Sequence, residues 1–444
     1  MQKVDQILSA PWLVTVDAND TVLEDHSLVI ESGIIRDIVP TADVRERYSG
    51  PELALPDHIL CPGLINAHTH MSMNLLRGYA DDLPLKEWLE GYIWPAEGQW
   101  VDEQFVADGS RLAMAESLLG GTTCFNDMYF FPDITARLAS AAGMRASIGL
   151  IVIDFPTVWG SGPDEYLKKA IAVGDEFRHD PQVSVTLAPH APYSVSREPL
   201  EKISTLSAEL DIPVHIHVQE TAGEVQDFIS QHGVRPLQRL AEIGLVNPSL
   251  IAVHMTQLED SEIAMLANQG VHVVHCPESN LKLASGACPV NALLRAGVNV
   301  ALGTDGTASN NDLDMFGEMR TAALLGKHVA GDASAVNAFQ ALRMATINGA
   351  RALGLADVTG SLERGKAADI IAVDTARVDM APVYEPVSHV VYAASRHCVQ
   401  HVWVAGKQLV KDAQLTTLDA DALTETAQQW QQKIGKPATP ARNN

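Results

Sequence analysis

Two hydrophobic periods alternate along the middle of the chain, from about residue 60 to about residue 360. Short β-rich runs are separated by longer stretches in which apolar residues recur every three or four positions, the spacing of an amphipathic helix. The pattern predicts eight strands: CPGLINAHTH (61–70), GTTCFNDMY (121–129), RASIGLIVI (145–153), VSVTLAPHAP (183–192), PVHIHVQE (213–220), SLIAVHMT (249–256), VHVVHCPESN (271–280) and NVALGTDG (299–306). Helix-like segments such as DEQFVADGSRLAMAESLLGG and REPLEKISTLSAELDI lie between them. Eight strands, each followed by a helix, predict an α/β fold, a (β/α)8 TIM barrel spanning residues 60–360.

The two ends of the chain carry a different pattern. Residues 1–59 contain VIESGIIRDIV, and residues 361–444 contain ADIIAVD and VQHVWVAGKQLV, β-rich runs broken by Gly and Asp. Together they predict one small β-sandwich domain built from both termini. GSLERGKAAD (360–369) is its return linker, and GKPATPARNN is a frayed tail.

Polar residues interrupt the apolar runs at one recurring place. His68 and His70, His190, His217, His254 and Asp305 each fall at the C-terminal end of a predicted strand. In a barrel those ends converge on one face, where active sites of this fold lie. Strand side chains alternate, so His68 and His70 share a face, about two rises apart, and suit two nitrogens on one cation. The pair alone leaves a core reading equally open. In HIHVQE, His217 sits at the mouth and His215 deeper, as a structural residue, while Glu220 falls where strand gives way to loop and its carboxylate can meet a substrate. Asp305 is followed by Gly306, which presents it at the rim as a fourth ligand and as a base beside a bound water. The set His68, His70, His217 and Asp305 suits Zn first, with Fe or Mn also compatible. The fourth strand offers no lysine to bridge a second ion, so one divalent metal is expected.

Composition narrows the partners. Asp and Glu number 55 against 31 Lys and Arg, a formal charge of −24 on 444 residues, and no basic cluster is present to neutralise phosphates. Nucleic acid and anionic membranes are therefore excluded as main partners. The N-terminus lacks the apolar region of a signal peptide, and no apolar run approaches the ~18 residues of a membrane span. Cys61, Cys124, Cys276, Cys288 and Cys398 are widely spaced with no C-x-x-C pair, which predicts a reduced, cytoplasmic protein without disulfides or a structural zinc cluster.

The stretches PGLINAHTHMSMNLLRGYADDLPLKEWL, IWPAE, APHAPYS, HIHVQET, HCPESNLKLASG, GTDGTASNNDLDMFGEMR and GSLERGKAADIIAVD together resemble the amidohydrolase superfamily. Within it they are similar to the 5′-methylthioadenosine/S-adenosylhomocysteine deaminases of the chlorohydrolase and cytosine deaminase-like branch. The resemblance runs over nearly the whole chain. It implies that His68, His70, His217 and Asp305 are the metal ligands, that Glu220 is the acid meeting the purine ring, and that His254 steadies the attacking hydroxide. It also implies that Glu97, in WPAE, grips the ribose hydroxyls and that His190, in APHAP, lies close to the nucleoside. By motif position Ser309 and Trp100 stand near the same mouth as substrate contacts.

The implied reaction replaces the 6-amino group of an adenine nucleoside with oxygen and releases ammonia. A free base or triazine is the alternative substrate, and it would leave Glu97 no ribose to hold. A non-catalytic barrel, the remaining alternative, is expected to lack the metal ligands. Without the resemblance, Glu97 reads as a solvated acid at a helix start, and DDLPLKEWLEGYIWP as an amphipathic lid. Asp81 and Asp82 are expected to anchor the loop after the first strand, and His272, His275, His389, His397 and His401 to be structural. Arg77 is the candidate cation near the mouth. The 5′ substituent and the state of homo-oligomerisation stay open at this level.

Overall fold

The computed structural model describes residues 1–437, so most of the predicted tail (438–444) lies outside the described residues. Its centre is a parallel barrel of eight strands hydrogen-bonded in chain order: β1 (Leu64–Thr69), β2 (Thr122–Tyr129), β3 (Arg145–Val152), β4 (Val183–Pro189), β5 (Val214–Val218), β6 (Leu250–His254), β7 (His272–His275) and β8 (Asn299–Leu302). The predicted (β/α)8 barrel is the fold. Helices such as Glu103–Leu119, Pro163–Phe177 and Arg197–Leu210 follow the strands and bury one face against them.

The seam between β8 and β1 is closed by specific bonds. The Asp305 N–H donates to the His68 carbonyl at 3.0 Å. The Thr304 N–H donates to Asn66 Oδ1 at 3.0 Å, and Asn66 Nδ2 donates to Thr304 Oγ1 at 2.7 Å. Gly303 permits this approach, because a Cβ there would stand 2.7 to 2.9 Å from His68 atoms, inside contact distance.

Most strands end a few residues earlier than the apolar runs suggest. Gln219, His254 and Asp305 have φ of 53°, 73° and 61°, a left-handed conformation that cannot continue an extended ladder. The seventh predicted strand stops at His275, and Pro277–Lys282 is helical; Pro277 lacks the N–H a ladder needs but suits a first helical turn. The residues carrying chemistry thus lie at or just past the strand ends.

The first predicted strand is divided. Its opening Cys61 and Pro62 belong to the strand His58–Pro62, which pairs antiparallel with Ile370–Asp374 in the terminal sheet. That nine-stranded sheet unites Gln6–Val14, Val22–Glu31 and Ile34–Pro40 from the N-terminal region with Val399–Val404 and Lys407–Lys411 from the C-terminal region. One face gathers Leu8, Leu28, Leu60, Ile370 and Trp403 into its own core, while Ile371, Val373, Val399 and Val402 join the barrel core. A buried ion pair ties the two parts: Arg145 Nε donates to Asp369 Oδ2 at 2.9 Å, with side-chain exposures of 4% and 0%.

The helix at Ala420–Ile434 is not among the elements predicted from the sequence; Trp430 is its one buried residue. Trp430 packs edge-on against Phe105 and donates its indole N–H to Asp108 Oδ2 at 3.0 Å. Residues 85–100 are helical throughout, with a wider π turn at Leu89–Ile93, and roof the barrel through buried Trp88 and Ile93. Among the described residues no helix is long and apolar enough to cross a membrane.

Candidate active site

A cavity of about 200 Å³, open to solvent on one side, lies at the C-terminal ends of the barrel strands. Its floor holds His70, His217, His254, Glu220 and Asp305, and its wall holds Glu97, Tyr129 and His190. His68 is fully buried beneath. Asp305 Oδ1 stands 3.3 Å from His68 Nε2 and 3.1 Å from His70 Nε2, and the Nε2 atoms of His68 and His217 are 3.2 Å apart. The convergent atoms form two overlapping sets, His68 with His70 and Asp305, and His68 with His217 and His254.

The other ring nitrogens explain this crowding. His70 Nδ1–H donates to the Met128 carbonyl at 2.6 Å, and His217 Nδ1–H donates to the His190 carbonyl at 2.7 Å. His68 Nδ1 faces His215 Nε2 at 2.9 Å. With Nδ1 carrying the proton, each Nε2 presents a lone pair to the same point. Two lone pairs 3.2 Å apart repel unless a cation lies between them, so the three imidazoles and the carboxylate fit one divalent ion. Burial lowers His68 to about 4 and His190 to about 3, which keeps both rings neutral.

Asp305 is held from its far side. Ser279 Oγ–H and Ser309 Oγ–H donate to its Oδ2 at 2.7 and 2.9 Å, and Oδ1, which accepts the Gly306 N–H at 2.8 Å, faces the imidazoles. Ser309 is therefore a positioning residue for Asp305 and does not line the cavity. Trp100 stands outside the lining as well, with the Lys433 ammonium 5.7 Å from its ring. Arg77 binds Glu116 and the Asn311 carbonyl, away from the cavity. Asp81 anchors its loop by accepting from Lys282 Nζ at 2.7 Å and Asn311 Nδ2 at 3.1 Å.

Glu220 stands where β5 passes into the helix Ala222–His232. Its own N–H donates to Glu224 Oε2 at 2.7 Å, beside the capping box that Thr221 and Glu224 form. Burial raises the Glu220 carboxyl above 4.5, partly offset by His254, whose Nε2 is 3.7 Å from Oε2, and by the Ser285 hydroxyl donating to Oε1 at 3.2 Å. His254 Nδ1–H in turn donates to Asn280 Oδ1 at 2.9 Å. Glu97 is pushed up to about 7 by burial, against the opposing pull of the Tyr129 hydroxyl, which donates to Oε1 at 2.7 Å.

Tyr129, Ser279, Asn280 and Ser285 complete the site without having stood out in the sequence. Each is one polar residue in a stretch with several, and its partner lies 26 to 65 positions away. His215 had a visible signal, the H-x-H repeat of HIHVQE, and its place against His68 makes it an orienting residue.

A parallel barrel with three imidazoles, a carboxylate and a separate buried acid at its C-terminal face has the make-up of a metal-dependent TIM-barrel hydrolase. The chain belongs to the amidohydrolase family, whose model matches residues 59–409. It is 52% identical over 433 residues to a 5-methylthioadenosine/S-adenosylhomocysteine deaminase of Teredinibacter turnerae, covering 97% of this chain and 98% of the relative. A protein of the same description from Saccharophagus degradans is 52% identical over 431 residues, covering 97% of each chain. The crystal structure of an adenosine deaminase from Xanthomonas campestris with bound zinc superimposes with a TM-score of 0.97 at 51% identity, over 98% of this chain and 99% of that one.

Proposed function

We propose that the protein is a zinc-dependent hydrolase of cyclic C–N bonds that deaminates adenine nucleosides of the 5′-methylthioadenosine, S-adenosylhomocysteine and adenosine type. One observation carries this reading: a buried acid with a raised pKa, Glu220, stands apart from the metal-ligand set yet lines the same cavity. Hydrolysis at a ring carbon needs a proton delivered to the ring nitrogen as water adds.

When bound, the ion supplies Lewis acidity that brings the pKa of a coordinated water to about 7. His68, His70, His217 and Asp305 are the residues that would hold it. Asp305 accepts the water's proton, its carboxylate fixed in place by Ser279 and Ser309 on Oδ2 and by the Gly306 N–H on Oδ1. His254, its Nδ1–H committed to Asn280, presents Nε2 to hold the attacking oxygen's O–H. As the water oxygen adds to C6, Glu220 protonates N1 and keeps negative charge off the ring. Asp305 passes its proton to the amino group, the C–N bond breaks and ammonia leaves; the proton freed as the C6 carbonyl forms restores Glu220. Glu97 accepts from the ribose hydroxyls and is itself held by Tyr129. His190, neutral beside His217, borders the nucleoside.

Five buried free cysteines and the −24 charge support a small-molecule enzyme of the reducing cytoplasm, without nucleic acid or membrane as partner and with homo-oligomerisation compatible. We assign catalysis to residues 60–360 and support of the barrel to 1–59 with 361–444. The test is direct. Zinc-loaded protein should release stoichiometric ammonia from an adenine nucleoside as adenine absorbance falls; neither change with any of the three nucleosides would overturn the proposal.

A further inference from the structure

The chemistry of the cavity grades from its floor to its mouth. Buried imidazoles and carboxylates form the floor, and Glu97 with Tyr129 follows. Trp94 lies one helical turn before Glu97 and meets Phe155 with ring centroids 5.8 Å apart. Phe155 begins the segment 155–158 that completes the wall of the mouth. Phe155 and Val158 are 39% and 47% exposed, large apolar groups left in water at the entrance, and Leu85 and Leu89 line the same cavity from the helical roof. A concave wall of aromatic and aliphatic side chains suits an apolar part of a ligand.

The charge inventory agrees. Every ionisable side chain on the lining is a carboxylate, an imidazole or a tyrosine hydroxyl, and among the described residues no lysine or arginine lines the cavity. The cation bonded to this segment is spoken for: Lys169 donates to the Trp159 carbonyl and pairs with Glu165 at 2.9 Å.

We infer that the outer cavity, built by Trp94, Phe155, Val158 and Leu89, is a subsite for an uncharged apolar 5′ substituent of the alkylthio kind, and that it selects against a nucleoside whose 5′ arm ends in an amino acid. A methylthio group there gains contact with aromatic and aliphatic surface. An amino-acid arm instead brings a carboxylate against a wall with no cation to meet it, where partial desolvation is uncompensated. This inference rests on the deaminase reading and narrows its substrate.

The experiment compares kcat/KM of the zinc-loaded enzyme for 5′-methylthioadenosine and S-adenosylhomocysteine, together with competitive inhibition constants for the two deaminated products, which bind without reacting. The expected result is at least a tenfold preference for the methylthio compound in both measurements, equivalent to about 1.4 kcal/mol. A smaller preference overturns the inference while leaving deamination intact; no turnover of any adenine nucleoside overturns the deaminase reading and this inference with it. In Val158→Arg, a cation at the mouth should raise the ratio of S-adenosylhomocysteine to methylthioadenosine turnover at least tenfold. A ratio that does not rise counts against the subsite.

Discussion

Glu220→Gln separates proton delivery from every other function of the site. The amide side chain keeps the size of the carboxyl, an oxygen to accept from Ser285 as Glu220 does at 3.2 Å, and the backbone N–H that donates to Glu224. It loses only the transferable proton. Positioned general acids contribute about 10²- to 10⁴-fold, so kcat should fall by that factor, ~2.7 to 5.4 kcal/mol of transition-state stabilisation. Metal content should be unchanged, because Glu220 is outside both sets of convergent ligand atoms.

Stability should move the other way. Burial raises the folded-state pKa of Glu220 above the ordinary 4.5, so its ionisation disfavours the folded state once the pH exceeds the ordinary value. The stabilisation from the neutral form is present at low pH and lost as pH rises through the folded pKa. At pH ~8 the Gln variant should therefore melt at or above the wild-type temperature. Steady-state kinetics, metal analysis and thermal melts on one preparation decide the matter. A kcat loss below tenfold, or a loss accompanied by missing metal, would refute the assignment of Glu220 as proton donor.

Other perturbations test the neighbouring residues. Glu97 titrates at about 7, so it loses its acceptor charge as pH falls through that value; KM for a nucleoside should rise below pH ~7, and Glu97→Gln should flatten that limb. Glu97→Ala should cripple nucleoside turnover, whereas full activity retained in that variant would favour a free base or triazine substrate. Ser279→Ala removes a donor 2.7 Å from Asp305 and should weaken metal affinity about 10- to 100-fold, read by chelator competition; unchanged affinity would show that Asp305 is held without it. Arg145→Met leaves the fully buried Asp369 unpaired and should cost about 3 to 5 kcal/mol in denaturant unfolding. A cost below ~1 kcal/mol would show that the two parts of the molecule are joined by other contacts.

The barrel was legible because parallel strands covered on both faces are apolar runs, and a histidine or aspartate at the end of such a run has no core reason to recur. His68, His70, His217, His254 and Asp305 stood out on that ground and come together around one point. The strand ends were less legible. Glu220, Asn280 and Asp305 lie in runs that look continuous, yet left-handed turns at Gln219 and Asp305 and Pro277 after β7 take the backbone out of the ladder. Ser309 and Trp100 show the limit of motif position: adjacency in a motif fixed neither side chain's direction, and one turns to Asp305 while the other turns to the C-terminal helix.

The seam of the barrel ties the site to the order in which the protein is made. Asn66 and Thr304, bonded across the seam, are 238 positions apart, and the ligands His68, on the first strand, and Asp305, just past the last, are bonded there. A growing chain therefore carries a pair of histidines long before it carries their carboxylate partner, and the ligand set is complete only after the last strand has docked on the first. An ion captured there closes the longest loop of the barrel and, by favouring the closed state over the open one, acts as a latch on the ring. Metal uptake should thus report the final closure of the barrel during biosynthesis as well as readiness for catalysis.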